Sequence, residues 1–168
     1  MITTFFKGLR STKPERKTDL SEIISGIQNG LWKEATLKCR EDITRKDRLP
    51  CFTPTGEFNH RSIAGLEKYN GIICLDIDHI ADPEALKKRA SQLGWVMAAF
   101  ITPSGKGLKV IVKTHATVET YKKTEELVAE AFLEATGCAR DNRCKDIARI
   151  QFVSYDPTLY YNPNSLTF

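Results

Sequence analysis

The stretch Gly71-Ile72-Ile73-Cys74-Leu75-Asp76-Ile77-Asp78-His79-Ile80 most narrows what this chain can fold into. It is a short apolar run ending in two carboxylates one residue apart, which reads as a buried strand with charge at its exit. Side chains alternate across a strand, so Ile73, Leu75 and Ile77 belong to one face and Cys74, Asp76 and Asp78 to the other. One face is core and the other carries paired acids, which repel each other unless something positive lies between them. A divalent metal carrying substrate phosphates is one such partner. A turn or a pair of surface acids is the plainer reading of Asp-x-Asp, and the stretch alone does not choose between them.

Beyond that strand the pattern is regular. Asp82-Pro83 predicts an N-cap with Pro at N1, opening a helix that carries Leu86, Ala90 and Leu93 and stops at Gly94. Trp95 to Ile101 and Gly107 to Lys113 read as strands joined by the tight loop Thr102-Pro103-Ser104-Gly105-Lys106. Thr117 opens a long helix to Thr136 with Tyr121, Val128, Phe132 and Ala135 as its apolar stripe, closed by Gly137. Arg149 to Ser154 reads as a fourth strand, succeeded by an Asp156-Pro157 turn and a polar tail.

The order is β-α-β-β-α-β, the split plan of ferredoxin-like and RNA-recognition domains. In it the first and third strands are neighbours, the fourth flanks the first, and both helices cover one face. Strand parity then places Asp76, Asp78, Lys109 and Arg149 together on the other face.

The chain before Gly71 predicts a short initial strand, a basic loop from Lys7 to Lys17, and a helix capped by Asp19 that carries Leu20, Ile23, Ile24 and Ile27 up to Asn29-Gly30. A second helix is expected from Trp32 to about Lys46 with Trp32, Ala35, Cys39 and Ile43 inward. A strand and turn are expected over 49–58, then an irregular stretch to Asn70. The expected fold class is α+β: residues 1–66 form an N-terminal αβ module that covers the acid-bearing face of a module spanning 67–168, together making one domain.

With 168 residues the chain has length enough for a core without staples. Its five cysteines are odd in number and include no C-x-x-C, which predicts neither a disulfide framework nor a zinc knuckle but thiols in a reducing, cytoplasmic setting. No apolar run approaches a membrane span or a signal h-region. A net charge of +4 permits phosphate or nucleic-acid partners without requiring them.

Within the hairpin loop, Ser104, Gly105, Lys106, Gly107 and Lys109 bring glycines for close backbone approach, a hydroxyl and two ammonium groups, the needs of a phosphate cradle. It is not a Walker loop, since Phe100 replaces the first glycine and Gly107 comes directly after Lys106. A glycine-containing hairpin with a solvated lysine is the plain alternative. The last third offers Asp141, Asp146 and Asp156 as a third carboxylate, Asp141 being the first choice; Asp146 as a cap and Asp156 as an Asp-Pro turn residue are equally open. The histidines show no ligand spacing.

Leu75-Asp76-Ile77-Asp78, Ser104 to Lys109, and Ala148 to Pro157 jointly resemble the N-terminal primase-like domain of virulence-associated E type proteins, of the archaeo-eukaryotic primase (primase-polymerase) superfamily. The resemblance implies a two-module fold with the active site between modules. It implies Asp76 and Asp78, with Asp141, as catalytic ligands of Mg²⁺ or Mn²⁺. Ser104, Gly105, Lys106, Gly107 and Lys109, with Arg149, would bind the nucleotide. Two departures stand out: Arg140 precedes Asp141 where the family has a hydrophobic residue, and Lys109 stands where a His is frequent. The implied partners are nucleoside triphosphates, a single-stranded DNA template and a helicase domain or protein in mobile-element, plasmid or phage replication. A noncatalytic domain binding nucleotide or single-stranded DNA is the main alternative. A haloacid dehalogenase-type phosphatase is a lesser one, since that class also begins with Asp-x-Asp.

Overall fold

A computed structural model describes residues 1–143 and 145–168; Cys144 lies outside the described residues. In chain order the elements are β1 (Ile2–Phe6), β2 (Arg16–Asp19), α1 (Leu20–Asn29), α2 (Lys33–Glu41), a 3-10 segment (Ile43–Arg48), β3 (Cys51–Thr53), β4 (Gly56–Phe58), a 3-10 turn (Ile63–Gly65) and β5 (Leu66–Tyr69). They continue with β6 (Ile72–Ile77), α3 (Pro83–Ala90), β7 (Val96–Ile101), β8 (Leu108–Lys113), α4 (Tyr121–Thr136), β9 (Gln151–Phe152) and β10 (Tyr160–Tyr161). The chain is an α+β protein built on two four-stranded antiparallel sheets, ordered β2-β1-β3-β9 and β10-β7-β8-β6, with β4 and β5 as a separate pair.

Local chemistry accounts for the helix ends. The Asp19 carboxylate accepts from the Ser21 backbone N–H at 2.9 Å and so caps α1. Leu20, Ile23, Ile24 and Ile27 are its buried positions, each worth roughly 1.5–3 kcal/mol on burial. Asp82 caps α3 through the Ala85 N–H, with Pro83 opening the helix. The second expected helix divides: α2 stops at Glu41, where Asp42 caps the next 3-10 segment through Thr44.

Parity on β6 obeys the alternation. Ile73, Leu75 and Ile77 pack with Val110 and Val112 of β8 against Leu86 and Ala90 of α3 and Val128 and Phe132 of α4. Ile72 and Cys74 face the other way, into a core shared with Ile27, Cys39, Leu49 and Phe52 from the first part of the chain. The face opposite the α3 and α4 helices is therefore covered by α1, α2 and β3, and a cleft opens at its end.

The fourth strand is a correction. Instead of flanking β6, residues 151–152 join the first sheet, pairing Phe152 with Cys51 and Gln151 with Phe52, while the Val153 N–H donates to Pro50 O at 3.0 Å. The chain does pass the outer edge of β6 earlier, where the Asp141 N–H donates to Asp76 O at 2.7 Å. Arg140 is bound there by the buried Glu125 of α4, and Thr55 Oγ1 donates to Ile147 O at 2.6 Å, drawing the chain on toward β3. The segments expected as a basic loop, an irregular stretch and a polar tail contain β2, β5 and β10. The short β10 covers the β7 edge.

Candidate functional site: a basic cleft at the end of β6

Asp76 lies opposite Lys109 on the neighbouring strand, and its Oδ2 is ion-paired with the Lys109 Nζ. Both residues are more than nine-tenths buried, at 9% and 6% exposure. Asp78, one strand period further on, is half-buried and opens into the cleft. The turn before β8 approaches it closely because residue 107 is glycine. A Cβ there would stand 2.6 Å from Ile77 O and 3.0 Å from Asp78 Oδ1, a collision with backbone that no rotamer relieves. The turn is closed by Thr102 N–H to Gly107 O and Gly105 N–H to Thr102 O, both 2.9 Å, and Gly105 takes a left-handed φ of 73°. Ile80 N–H donates to Lys106 O at 2.9 Å, tying the turn to the exit of β6. Between them His79 has a φ of 58°, the one non-glycine residue with positive φ among the described residues.

The cleft has a volume of about 450 Å³. One wall is Asp78, His79, Ser104 and Lys106; the other is Cys39, Arg40, Ile43 and Lys46 of α2 and the 3-10 segment, with Arg143 at the side. Arg40 lies over the turn, its Nε 3.5 Å from where a Cβ on Gly105 would be, and donates to Tyr155 O at 2.9 Å. The Lys46 Nζ sits 5.3 Å from the Phe152 ring centroid, a cation–π distance. Arg40, Lys46 and Lys106 outnumber the carboxylate of Asp78, while Arg143 and Asp141 offset each other at the side, and together they make a positive recess suited to a polyanion. Arg40 and Lys46 are the residues that reading the sequence missed. In isolation they belong to an exposed basic run, 38–48, and the signal that singles them out is their position across from Ser104.

The remaining candidates separate. Asp141 is beside Asp76 through its backbone, but its carboxylate accepts from Arg143 Nε at 3.1 Å and Nη2 at 2.9 Å. Arg140 is turned inward to Glu125, whose carboxyl is pushed up by burial while Arg140 pulls it down. Arg149 is exposed ahead of β9, on the first sheet's side of the fold, and Asp146 is exposed, its carbonyl accepting the Arg149 N–H at 3.1 Å. Asp156 is 2% exposed and bound by Lys87 and the Ile101 N–H, an internal structural residue.

Among the described residues no three His, Cys, Asp or Glu side chains gather as a metal cluster. The donors at the end of β6 nonetheless suit a hard cation: two carboxylates from one strand, with an ammonium ion already serving as counter-charge to Asp76. Asp76 and Asp78 would hold Mg²⁺ or Mn²⁺, in competition with Lys109.

Fold and site thus define an α+β protein in which a carboxylate just past a strand end, Asp78, meets a cationic turn in a basic cleft. The family model of the BT4734-like N-terminal domain matches residues 44–161, and the chain belongs to that family. The match names this family; the virulence-associated E type is a finer assignment than it makes. Cys39 and Arg40 precede the matched span. Among solved structures, the chain is similar to the AEP domain of the cyanophage S-2L primase-polymerase, at 11% identity and a TM-score of 0.46, over 90% of this chain and 71% of that one. A search of the curated proteins finds no match.

Proposed function

We propose that the chain is a metal-dependent nucleotidyltransferase of the primase or primase-polymerase type, acting on nucleoside triphosphates over a single-stranded DNA template. The observation that carries this reading is the meeting of Asp78 with Ser104, Lys106, Arg40 and Lys46 in one cleft, one strand period from Asp76. Cations on both walls suit a triphosphate, while carboxylates at one end suit the metal that accompanies it. In the reaction the primer 3′-hydroxyl attacks the α-phosphorus, the α–β bridging bond breaks, and pyrophosphate leaves. Lys106, Arg40 and Lys46 would hold the β- and γ-phosphates and the negative charge that grows on the leaving group. Mg²⁺ or Mn²⁺, when bound by Asp76 and Asp78, supplies further neutralisation of that charge and lowers the pKa of the attacking hydroxyl. Lys109 and Arg149 belong to the same reading as further phosphate contacts, and Asp141 as a third ligand once its carboxylate leaves Arg143. Residues 1–66 and 67–168 would act as the two modules that bring these walls together. The virulence-associated E resemblance adds a helicase domain or protein as the working partner.

The test is primer synthesis and extension with Mn²⁺ on a single-stranded template, wild type beside the Asp76→Ala/Asp78→Ala double variant. Activity lost in the variant supports the assignment. Equal activity in both, or none in either across templates and metals, overturns it.

A noncatalytic nucleotide- or single-strand-binding module is favoured by one specific observation: the carboxylates of Asp76 and Asp141 are both engaged by cations of the chain itself. Binding of single-stranded DNA that is indifferent to Asp76→Ala, without synthesis, is its signature. The phosphatase alternative rests on Asp-x-Asp alone, and the cationic turn facing Asp78 gives it no further support.

A further inference from the structure

We propose that Lys109 is shared between two anions: it neutralises Asp76 in the absence of ligand and passes to the triphosphate when a divalent cation replaces it on that carboxylate. This rests on the nucleotidyltransferase reading and adds a coupling device to it.

Burial sets the constraint. Lys109 is paired in register with Asp76 on one side and with Phe100, fully buried, on the other. An ammonium ion held in such surroundings cannot be left without a counter-charge except at large cost, so it changes partner and does not simply let go. The same holds for the Asp76 carboxylate. A metal and Lys109 therefore compete for Asp76, and the metal gains the carboxylate only if Lys109 finds another anion. The chain provides the place for that anion. Lys109 stands two residues beyond Gly107, on the strand that leaves the Ser104–Gly107 turn, and the turn lines the cleft that Arg40 and Lys46 make positive from the other wall.

By mass action, Lys109 weakens the binding of cation alone, and Asp76 weakens the binding of triphosphate alone. When both arrive, each removes the other's competitor, so they reinforce one another beyond the complex they form in solution.

The experiment measures each ligand by itself. Free Mn²⁺ is counted by electron paramagnetic resonance with wild type, Lys109→Met and, as a control that removes a lysine from the cleft wall but not from Asp76, Lys106→Met. Lys109→Met is expected to bind Mn²⁺ roughly ten-fold tighter than wild type, the loss of one charged hydrogen bond to its competitor, and Lys106→Met to stay within about two-fold. Inorganic triphosphate is then titrated calorimetrically in EDTA with wild type, Asp76→Asn and Asp78→Asn. The two variants change charge equally, but only Asp76→Asn frees Lys109; it is expected to bind triphosphate roughly ten-fold tighter, and Asp78→Asn much less so. Equal Mn²⁺ affinity in Lys109→Met and Lys106→Met, or equal gains in Asp76→Asn and Asp78→Asn, overturns the sharing. Should either Lys109→Met or Asp76→Asn fail to fold, the arm that uses the other decides alone. If no variant and no wild type binds either probe, the nucleotidyltransferase reading falls and the sharing with it; if wild type binds both and the variants match it, only the sharing falls.

Discussion

Among the described residues two Lys–Asp pairs are buried, and their surroundings differ. Asp156 accepts both Lys87 Nζ contacts at 2.8 Å, the Ile101 N–H at 2.9 Å and the Thr158 N–H at 3.1 Å, while Lys87 also donates to Thr158 Oγ1 at 2.6 Å. That pair pins α3, the end of β7 and the chain after β9 together, with polar capacity filled on both sides. Lys109 and Asp76 sit on adjacent strands one period from the cleft, where Asp78 and the Ser104 turn meet solvent. Equal residue types and similar burial thus serve two ends. One pair is closed and structural; the other borders a site where a new charge can enter.

The largest expected effect breaks the closed pair. Asp156→Ala leaves the buried Lys87 ammonium only the exposed Glu84 carboxylate at 2.9 Å as counter-charge and frees the Ile101 N–H, and should lower stability by about 3 kcal/mol, read from the urea midpoint at constant m. A loss below about 1 kcal/mol would mean that the pair is no pin and the contrast fails. Next comes the open side: Asp78→Ala should lower primer extension by roughly a hundred- to a thousand-fold, as removal of a site charge does, while moving stability by no more than about 0.5–1 kcal/mol. If stability falls as far as in Asp156→Ala, Asp78 is structural instead.

A smaller effect probes Arg40, which precedes the matched family span. Arg40→Ala should raise KM for nucleoside triphosphate about ten-fold, the worth of one charged contact, with little change in kcat. An unchanged KM would confine the phosphate site to the Ser104 turn. The smallest effect concerns a pair that water reaches. The Met1 ammonium hydrogen-bonds Asp19 at 2.6 Å, and this contact first, then the Ser21 donors, holds the Asp19 carboxyl down at about 2. Because the folded value lies below the unfolded one near 3.8, the stabilisation is present above about pH 4 and is lost as pH falls toward 2. With Asp19 partly exposed it should amount to no more than about 1 kcal/mol, seen as a shrinking difference between wild type and Asp19→Asn across that window. A difference that persists unchanged at pH 2 would show that the cap, not the charge, carries it.

Much of the molecule is legible from short-range information. The β6 strand, its parity, the Asp82-Pro83 helix start, the β7–β8 hairpin and the Gly30 and Gly137 stops all come from hydrophobic period and backbone preference. That Asp76 and Lys109 share a face of neighbouring strands is legible too, because the split plan makes the first and third strands neighbours and side chains alternate along each.

Tertiary structure alone decided the long-range pairing. Residues 151–152 are two residues of strand that fit either sheet by composition; the exposed edge of β3 and the route imposed by Arg140 on Glu125 chose the first. The short strands β2, β5 and β10 form only because a partner edge is waiting, and nothing within their own sequences announces it. The second wall of the cleft is of the same kind. Arg40 and Lys46 gain their meaning from facing Ser104 across a gap of about sixty residues in sequence, a relation that no local pattern encodes.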